Sequence, residues 1–455
     1  MKHIHFIAIG GAIMHQLAIA LHKKGYIITG SDDEINDPAK INLIAERIMP
    51  EANGWFAEKI DGNVEAVVLG MHAKGDNPEL LAAKAKGIPV YSFPQYVYEV
   101  SKNKKRVVVA GSHGKTTITS MIMHILQYHG IDFDYLVGAK VAGFELSVKL
   151  SDAPIIVLEG DEYPASAEEK RPKIFFYHPD ITVLSGIAWD HINVFPTAEI
   201  YFNQFEQYLE GIKPGTKVFY NDEDSEVQRI ISGSALHLDA VPYSTPPFHY
   251  ADGVPVMETA NGEVKVSVFG RHNLLNMEAA IKVCNELGIS AVDCYKAIAS
   301  FTGAARRLEK VKEEKNLLVY RDFAHAPSKL RATLDAVREA YPGHHLVACF
   351  ELHTFSSLNE KFLSEYAHCM DAADEGIVYF SHHALGLKGL PHLERSTVKT
   401  SFRRDDIIVI DNKEELQKVV GQMVSGKDKP VFLLLMSSGT FDGIDWNNVS
   451  SHLIS

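Results

Sequence analysis

The sequence lacks the marks of membrane proteins and of disulfide-bonded secreted proteins. Its 455 residues contain no apolar run near the roughly eighteen residues that a membrane-spanning helix needs. The apolar N-terminus superficially resembles a signal peptide, but Gly10 and Gly11 split it, so we expect it to fold as part of a domain. The chain has four cysteines and no C-x-x-C pair: Cys284, Cys294, Cys349 and Cys369. We therefore expect buried, reduced thiols and a cytoplasmic location.

Positive charge is also scarce. Lysine and arginine total 45 against 58 aspartates and glutamates, a net charge of −13. General binding to nucleic acid or to anionic membranes needs a basic face, so neither is expected. If the ligands are phosphates, positive charge must be concentrated locally, as around Lys115 and the pair Arg306 and Arg307. Apolar residues make up 46% and charged residues 23%, which is ordinary for a globular protein of two to four domains.

The most informative segment is VVVAGSHGKTT at residues 107–117. A short apolar run of strand type enters a Gly-rich turn, and the amphipathic stretch after it predicts a helix. This arrangement places backbone N–H groups and a lysine around a phosphate at a helix N-terminus. The usual phosphate loop has a further glycine where this chain has Val109, so we interpret the turn as a shorter variant with Gly111 and Gly114 as its flexible points. In that interpretation Thr116 gives its hydroxyl to a Mg²⁺ that bridges phosphate oxygens.

Short apolar strands alternate with helical segments along most of the chain, which predicts an α/β fold with parallel sheets. The pattern falls into three blocks, which we assign to domains 1–103, 104–302 and 303–455. Strands are predicted at 3–9, 26–30, 66–69 and 88–91 in the first block, and at 155–158 and 181–184 in the second. The third block has predicted strands at 317–320, 345–349, 376–379 and 431–436, and residues 101–106 look like a linker between the first two blocks.

The first strand ends in IGGAIM, a turn that is similar to a dinucleotide fingerprint without its spacing. A nucleotide diphosphate can bind at the helix N-terminus that follows, with Asp32 or Asp33 near a ribose. The alternative is a tight strand–helix turn with no ligand.

Acidic and imidazole side chains follow two strands of the second block. Glu159 ends the apolar segment PIIVLEG, with Asp161 and Glu162 just after it, and His191 follows SGIAWD. Ligands in open α/β sheets bind at the carboxyl ends of the strands, so Glu159 and His191 could join Thr116 in a Mg²⁺ site. The alternative is a set of solvated loop carboxylates and a histidine with a local hydrogen bond.

The ordered motifs identify a family. GSHGKTT, LEGDEY, AWDHINVFP, GRHNLLNMEAA, GAARRLE and RDFAHAP occur in the order seen in the Mur ligase family, and IGGAIM and GSD extend the likeness into the first block. The resemblance implies three domains: a Rossmann-like domain for the UDP-sugar, a central ATPase and a Rossmann-like C-terminal domain. It also implies a reaction in which a carboxylate of UDP-N-acetylmuramate is phosphorylated by ATP, and an amine then displaces the phosphate to form an amide.

The family's functional positions can be carried over to matching residues. The resemblance implies catalytic roles for Lys115, Glu159, His191, Arg307 and His325. It implies Mg²⁺ ligation by Thr116, Glu159 and His191. For ATP it implies contacts from Gly111, Ser112, His113, Gly114, Lys115, Thr116, Thr117, His272, Asn273, Asn276, Arg306, Arg307 and Asp322. For the UDP-sugar it implies contacts from Gly10, Gly11, Ala12, Ile13, Met14, Ser31, Asp32 and His72.

Several of these residues have structural alternatives. Asn273 and Asn276 could cap the following helix, Arg306 and Arg307 could be a solvated pair, and Asp322 could hold a turn.

The amine acceptor is also open. The segments DEY, KRPKIFFYHP, FAHAP and LLMSSGTFDGI resemble the branch of the family that attaches the tripeptide L-Ala-γ-D-Glu-meso-diaminopimelate, which suggests a role in peptidoglycan recycling. The branch that adds L-alanine is similar elsewhere along the chain. A nucleotide-dependent binding protein that kept the fold and lost the chemistry is a third hypothesis. The sequence does not determine the oligomeric state.

Overall fold

The structure is a computed structural model that describes residues 2–71, 73–233, 238–251, 253–303 and 306–446. His72, which the sequence assigned to the UDP-sugar, lies outside the described residues. The chain forms two compact units. The first comprises Met1–Ile187, Asn203–Tyr243 and Ala279–Ala291, and the second comprises Ala188–Phe202, Ser244–Glu278 and Val292–Ser455.

The N-terminal part of the first unit is a parallel sheet with its helices. Its elements are β1 (His3–Ile7), α1 (Met14–Lys23), β2 (Ile27–Ser31), α2 (Ala39–Ala45), β3 (Ala66–Leu69), α3 (Pro78–Ala85), β4 (Val90–Ser92) and α4 (Phe93–Ser101). The strand order is β2-β1-β3-β4, and every pair is parallel. Strand β3 is buried along its whole length, which explains its uninterrupted run of apolar residues.

The rest of the first unit contains a seven-stranded sheet. Its elements are β5 (Lys105–Ala110), α5 (Lys115–Tyr128), β6 (Phe133–Leu136), β7 (Val148–Lys149), β8 (Ile155–Glu159), β9 (Ile181–Leu184), α6 (Ala198–Gly211), β10 (Lys217–Asn221), α7 (Ser225–Gly233) and β11 (Asp239–Tyr243). The chain enters the first unit again within α6. The order β11-β10-β9-β5-β8-β6-β7 places β5 at the centre, and only the two-residue strand β7 is antiparallel to its neighbour in the described sheet.

The second unit has two sheets. Its elements are β12 (Phe248–Ala251), β13 (Val254–Thr259), β14 (Gly262–Lys265), α8 (Arg271–Glu286), α9 (Ala291–Ile298), β15 (Glu309–Glu314), β16 (Leu317–Asp322), α10 (Pro327–Ala340), β17 (His345–Leu352), α11 (Phe355–Leu358), β18 (Glu375–Phe380), α12 (His382–Leu387), α13 (Arg395–Phe402), β19 (Ile408–Ile410), α14 (Lys413–Val424) and β20 (Val431–Met436). The residues of α8 from Ala279 onward, and the first residue of α9, belong to the first unit. Strands β12 to β14 form an antiparallel meander. The larger sheet has the order β15-β16-β20-β17-β18-β19, with β15 antiparallel and the other pairs parallel.

The prediction of an α/β fold with mostly parallel sheets is confirmed. Strands β9 and β20 have the predicted bounds, because each is a buried apolar run that ends at polar residues. All four cysteines are buried thiols, as expected. In the part of the chain that the structure describes, no helix combines the length and apolar character needed to cross a membrane. The domain bounds at 103 and 302 stay predictions.

The predicted linker at 101–106 is shorter than expected, because only residues 102–104 lie between regular elements. Helix α4 runs to Ser101 and strand β5 begins at Lys105. Arg106 is buried, with its guanidinium donating to the carbonyls of Ser101, Lys102 and Lys104 and pairing with Asp180 at 3.1 Å. The basic stretch therefore satisfies carbonyls at the end of α4, as cations near helix C-termini commonly do.

A buried histidine–glutamate contact lies inside the N-terminal sheet layer. His5 Nε2 and Glu79 Oε2 are 3.1 Å apart, and both side chains are fully buried. Glu79 also accepts the backbone N–H of Phe56 at 2.8 Å, and His5 Nδ1 contacts Thr29 Oγ1 at 2.9 Å. Burial raises the pKa of a carboxyl group, but the hydrogen bonds from His5, Ser31 and Phe56 hold the pKa of Glu79 below its ordinary value.

We predict that Glu79→Gln destabilises the protein by about 3 kcal/mol at pH 7, because it leaves the buried His5 without its charged partner. The depressed pKa of Glu79 means that its contribution is present above the ordinary glutamate pKa of about 4.3 and is lost as the pH falls below it. The difference in unfolding free energy between wild type and variant, measured by urea denaturation, should therefore shrink on acidification. A difference that stays constant from pH 7 down to about pH 2 would contradict this assignment.

Candidate active site

The predicted phosphate loop leaves the central strand of the seven-stranded sheet. Strand β5 pairs with β8 on one side and β9 on the other, with Val109 opposite Glu159 and Ala110 opposite Leu184. Because these strands are parallel, the loop, Glu159 and Ser185 all lie at the same carboxyl edge. Ligands bind at this edge in open α/β sheets.

Two glycines are required by the backbone of the loop. Gly111 has φ +130°, and a Cβ there would collide with Ser185 Oγ and lie 2.9 Å from the carbonyl oxygen of Gly186. Gly114 has φ +79° and precedes the first residue of α5. The expectation that these two residues are the special points of a short loop agrees with this geometry.

Strand β9 holds the loop from the side. Ser185 Oγ lies 3.0 Å from the carbonyl oxygen of Ala110 and 2.5 Å from that of His113, and its single proton is shared between these two acceptors. The backbone N–H of Ser112 donates to the Gly186 carbonyl at 2.7 Å. A Cβ on Gly186 would overlap the imidazole of His113, so the absence of a side chain at residue 186 makes room for that ring.

Lys115 is the first residue of α5, and its ammonium is folded back over the loop. Its Nζ donates to the Gly111 carbonyl and to Glu162 Oε2, both at 2.6 Å. Burial lowers the pKa of an ammonium, but Glu162, Asp161 and Glu159 raise the pKa of Lys115 above its ordinary value. The side chain therefore carries a full positive charge at the mouth of the loop.

Thr116 and Glu159, two predicted metal ligands, are in contact. Thr116 Oγ1 donates to Glu159 Oε1 at 2.9 Å, and Gly138 N–H donates to Glu159 Oε2 at 2.8 Å. A hydroxyl and a carboxylate suit Mg²⁺, which completes its shell with waters and substrate phosphate oxygens. Among the described residues, no cluster of three or more His, Cys, Asp or Glu side chains could hold a metal by itself. Waters or phosphate oxygens would complete the coordination of a Mg²⁺ held by Thr116 and Glu159.

The turn after β1 is also fixed by hydrogen bonds. Asp32 Oδ2 accepts the N–H of Gly10 at 2.7 Å, and a Cβ on Gly10 would lie 2.9 Å from that oxygen. Ser31 accepts the backbone N–H groups of Ala8 and Ile9 through its carbonyl. Burial, with the neighbouring Asp33, raises the pKa of Asp32 to about 6. Asp32 thus holds the turn in shape, whether or not a ribose contacts it.

His15 and Gln16, which follow the turn, have structural roles. His15 Nδ1 contacts the Gly11 carbonyl at 2.9 Å, so that nitrogen carries the proton and Nε2 accepts from Gln16 and Asn42. Gln16 Oε1 accepts the N–H of Ser147 at 3.1 Å. These contacts join α1 to the segment before β7.

In the second unit a buried carboxylate lies beside a predicted catalytic histidine. Asp190 Oδ2 lies 3.6 Å from His325 Nε2 and 4.0 Å from Lys329 Nζ, while Lys329 Nζ lies 3.3 Å from His325 Nε2. His325 Nδ1 contacts the Phe323 carbonyl at 2.8 Å. Burial and the charge of Lys329 lower the pKa of His325, which favours a neutral imidazole with Nε2 as an acceptor.

His191, adjacent to Asp190, has a strained backbone. Its φ is +59°, and its N–H donates to Asp190 Oδ1 at 2.7 Å. Such a conformation in a non-glycine residue is often found at functional sites. His191 belongs to the second unit and Thr116 and Glu159 to the first, so its predicted part in the metal site stays a prediction.

Three of the predicted ATP-contacting residues, His272, Asn273 and Asn276, lie in the first two turns of helix α8. Asn273 is buried, is the third residue of α8 and donates to the Phe269 carbonyl at 3.0 Å, whereas a capping side chain would accept a backbone N–H. Asn276 is also buried, with 9% of its surface exposed. Burial lowers the pKa of His272, although Asp322 opposes the shift.

The arginine pair and Asp322 meet at the start of the C-terminal sheet. The guanidinium of Arg307 lies 4.5 Å from the centre of the Phe323 ring, and Arg306 donates to the Gly439 carbonyl at 3.2 Å. These contacts argue against a freely solvated pair. Asp322 accepts the N–H groups of Leu308 and Ala324, both at 2.8 Å, so it holds this turn as the structural alternative proposed.

The sequence missed several residues that shape the site. It named Glu162 without assigning it a role, and it did not select Gly138, Ser185 or Asp190. The only available signals were an acidic pair after a buried strand in LEGDEY and a Ser-Gly pair after the apolar run of β9. The predicted roles of the site residues in binding and catalysis stay predictions.

We predict that Gly111→Ala lowers the affinity for a non-hydrolysable ATP analogue at least about tenfold, because the new Cβ collides with Ser185 and the backbone of residue 186. Gly130→Ala is the matched control, since Gly130 also has positive φ, at +66°, but a methyl group there would meet no atom within 4 Å. Equilibrium binding and thermal unfolding should be measured together. Equal losses of affinity in both variants would argue against a specific role for the loop at Gly111.

Three family profiles match consecutive parts of the chain. Residues 3–105 match the catalytic domain of the Mur ligase family, residues 109–284 match the Mur ligase middle domain, and residues 306–439 match the Mur ligase glutamate ligase domain. The matches follow the order of the motifs in the sequence.

Individual proteins show the same likeness. The UDP-N-acetylmuramate–L-alanine ligase of Desulfitobacterium hafniense is 30% identical over 442 residues, which are 94% of this chain and 95% of that protein. A second relative is the UDP-N-acetylmuramate–L-alanyl-γ-D-glutamyl-meso-2,6-diaminoheptandioate ligase of Haemophilus influenzae. It is 28% identical over 361 residues, which are 75% of this chain and 78% of that protein. The crystal structure of a murein peptide ligase from Psychrobacter arcticus has the same fold, with a TM-score of 0.65 at 23% identity over 100% of this chain and 98% of that one. The chain therefore belongs to the Mur ligase family of ATP-dependent amide ligases.

Proposed function

We propose that this protein joins the amine of L-Ala-γ-D-Glu-meso-diaminopimelate to the lactyl carboxylate of UDP-N-acetylmuramate, with hydrolysis of ATP to ADP and phosphate. One observation carries the ATP-dependent part of the proposal. The loop 111–114 leaves the central strand β5, with the Lys115 ammonium across it and the Thr116–Glu159 contact beside it.

The chemistry explains why ATP is needed. A carboxylate does not react with an amine until one of its oxygens becomes a good leaving group. The carboxylate oxygen attacks the γ-phosphorus and ADP leaves, giving an acyl phosphate; the amine then attacks the carbonyl carbon and phosphate leaves. Phosphoryl transfer of this kind depends on positioning and charge neutralisation more than on covalent chemistry by the protein.

The first unit's residues suit that task. Lys115 neutralises β- and γ-phosphate oxygens, and the N–H groups at the start of α5 bind an anion with the help of the helix dipole. Thr116 and Glu159 would hold the Mg²⁺, which supplies further positive charge when bound. In the second unit, Arg307 would stabilise charge on the transferred group, and the neutral His325 could accept a proton from the amine.

The N-terminal sheet is the proposed site of the UDP-sugar. The Gly10 turn and the neighbouring Ser31 and Asp32 lie at the carboxyl ends of β1 and β2, where nucleotides bind in such sheets. The four buried thiols are consistent with a reducing compartment, so we place the reaction in the cytoplasm.

Sequence segments support the tripeptide as the acceptor. The DEY sequence at 161–163, KRPKIFFYHP at 170–179 and SSGTFDGI at 437–444 resemble the tripeptide-adding branch. L-Alanine is the second candidate, because relatives at 30% to 33% identity, such as those of Desulfitobacterium hafniense and an Arthrobacter species, are UDP-N-acetylmuramate–L-alanine ligases.

We predict that Lys115→Ala abolishes ADP formation, with at least about a thousandfold loss of kcat, because no other charge of the loop replaces the ammonium on the transferred phosphate. Lys84→Ala is the control, since Lys84 is an exposed lysine paired with Glu168 at the surface. Circular dichroism checks that both variants are folded. Activity in Lys115→Ala close to that of the wild type would remove the phosphate-loop assignment.

A coupled assay of ADP release, with UDP-N-acetylmuramate and either the tripeptide or L-alanine, tests the acceptor. We predict a kcat/KM for the tripeptide at least about tenfold above that for L-alanine. The reverse preference would assign the protein to the alanine-adding reaction. ATP binding without acceptor-dependent turnover would instead support a binding protein that has lost the chemistry.

A further inference from the structure

The ammonium of Lys115 is paired with a carboxylate inside the loop. Lys115 Nζ lies 2.6 Å from Glu162 Oε2, and the exposed fractions of the two side chains are 13% and 2%. The same ammonium donates to the Gly111 carbonyl at 2.6 Å. Two short contacts thus keep the charge where an incoming phosphate would need it.

The neighbouring carboxylates have other partners. Glu159 accepts the Thr116 hydroxyl and the Gly138 N–H, and Asp161 Oδ2 pairs with Lys173 Nζ at 2.6 Å. Among these three carboxylates, Glu162 is the one in direct contact with Lys115. The Glu162 carboxylate therefore contacts the Lys115 ammonium as a bound anion would.

We propose that Glu162 is a positioning residue that serves as an internal counter-ion of Lys115 and couples nucleotide binding to the divalent cation. This inference rests on the proposed function, since it requires ATP phosphates to bind at the loop. Before ATP binds, Glu162 holds the ammonium in the loop at low energetic cost. When phosphate oxygens take over the ammonium, a nearly buried carboxylate loses an adjacent positive charge and also faces the negative phosphates.

That loss is large in a site with little water. The interaction between two charges strengthens as the effective dielectric constant falls, and that constant is lower around a nearly buried carboxylate than in bulk water. ATP without a metal carries its full negative charge towards Glu162, whereas ATP with Mg²⁺ brings compensating positive charge. Glu162 therefore penalises the metal-free nucleotide and tolerates the magnesium complex.

A purely structural ion pair would behave differently. If Glu162 only stabilised the loop, its neutralisation would weaken binding of both nucleotide forms by a similar factor. The counter-ion role predicts effects that depend on the metal. Affinity for metal-free nucleotide should rise, and affinity for the magnesium complex should stay the same or fall.

The test is calorimetric titration of the β,γ-imido analogue of ATP into wild type and Glu162→Gln, once with excess EDTA and once with excess Mg²⁺. We expect the ratio of the metal-free Kd to the magnesium Kd to fall at least about tenfold in the variant, mainly through tighter metal-free binding. Glu168→Gln is the matched control: it removes the same charge from a side chain that is 40% exposed, and its ratio should match that of the wild type.

Glu162→Asp guards against a folding artefact, because it keeps the charge and should keep most of the magnesium dependence. An unchanged ratio in Glu162→Gln, or equal weakening of both nucleotide forms, would overturn the counter-ion role and leave the proposed function standing. Failure of the wild type to bind either nucleotide form would overturn both.

Discussion

The site depends on one buried positive charge, the ammonium of Lys115 at the start of α5, just after the loop that leaves the central strand β5. Lys115 carries a positive charge in a place that is only 13% exposed, next to the carboxylate of Glu162 and the carbonyl of Gly111. Removing such a charge from water is costly unless it is paired and hydrogen-bonded. The acidic residues at the end of β8 and just after it meet that requirement. They keep the Lys115 side chain protonated, and therefore positive, before any nucleotide binds.

Packing holds that charge in position. Parallel register brings the ends of β5, β8 and β9 to one edge, so that Glu159 and Ser185 flank the loop. Ser185 and Gly186 then fix its path through hydrogen bonds and close approach, with Gly111 as the point that no larger residue can occupy. The apolar core of the sheet thus determines where the polar groups of the site can lie.

Much of this arrangement could be predicted from the sequence, because it depends on local patterns. Buried apolar runs such as β9 and β20, and the Gly-rich turn before α5, are visible in the residues themselves. Residues whose roles depend on distant partners were missed or misread. Arg106 was included in a predicted linker, and its burial depends on contacts with Asp180 and with carbonyls at the end of α4 that the sequence alone does not show. Glu162, Ser185 and Asp190 likewise gained roles only through contacts that span tens of residues.

The most direct measurement is a crystal structure of the protein with Mg²⁺ and the β,γ-imido analogue of ATP. The account predicts that the β- and γ-phosphates lie within hydrogen-bond distance of the N–H groups of residues 111–116, with Lys115 Nζ turned from Glu162 towards a phosphate oxygen. A nucleotide bound away from the loop, or phosphates in the loop with Lys115 making no contact to them, would contradict it.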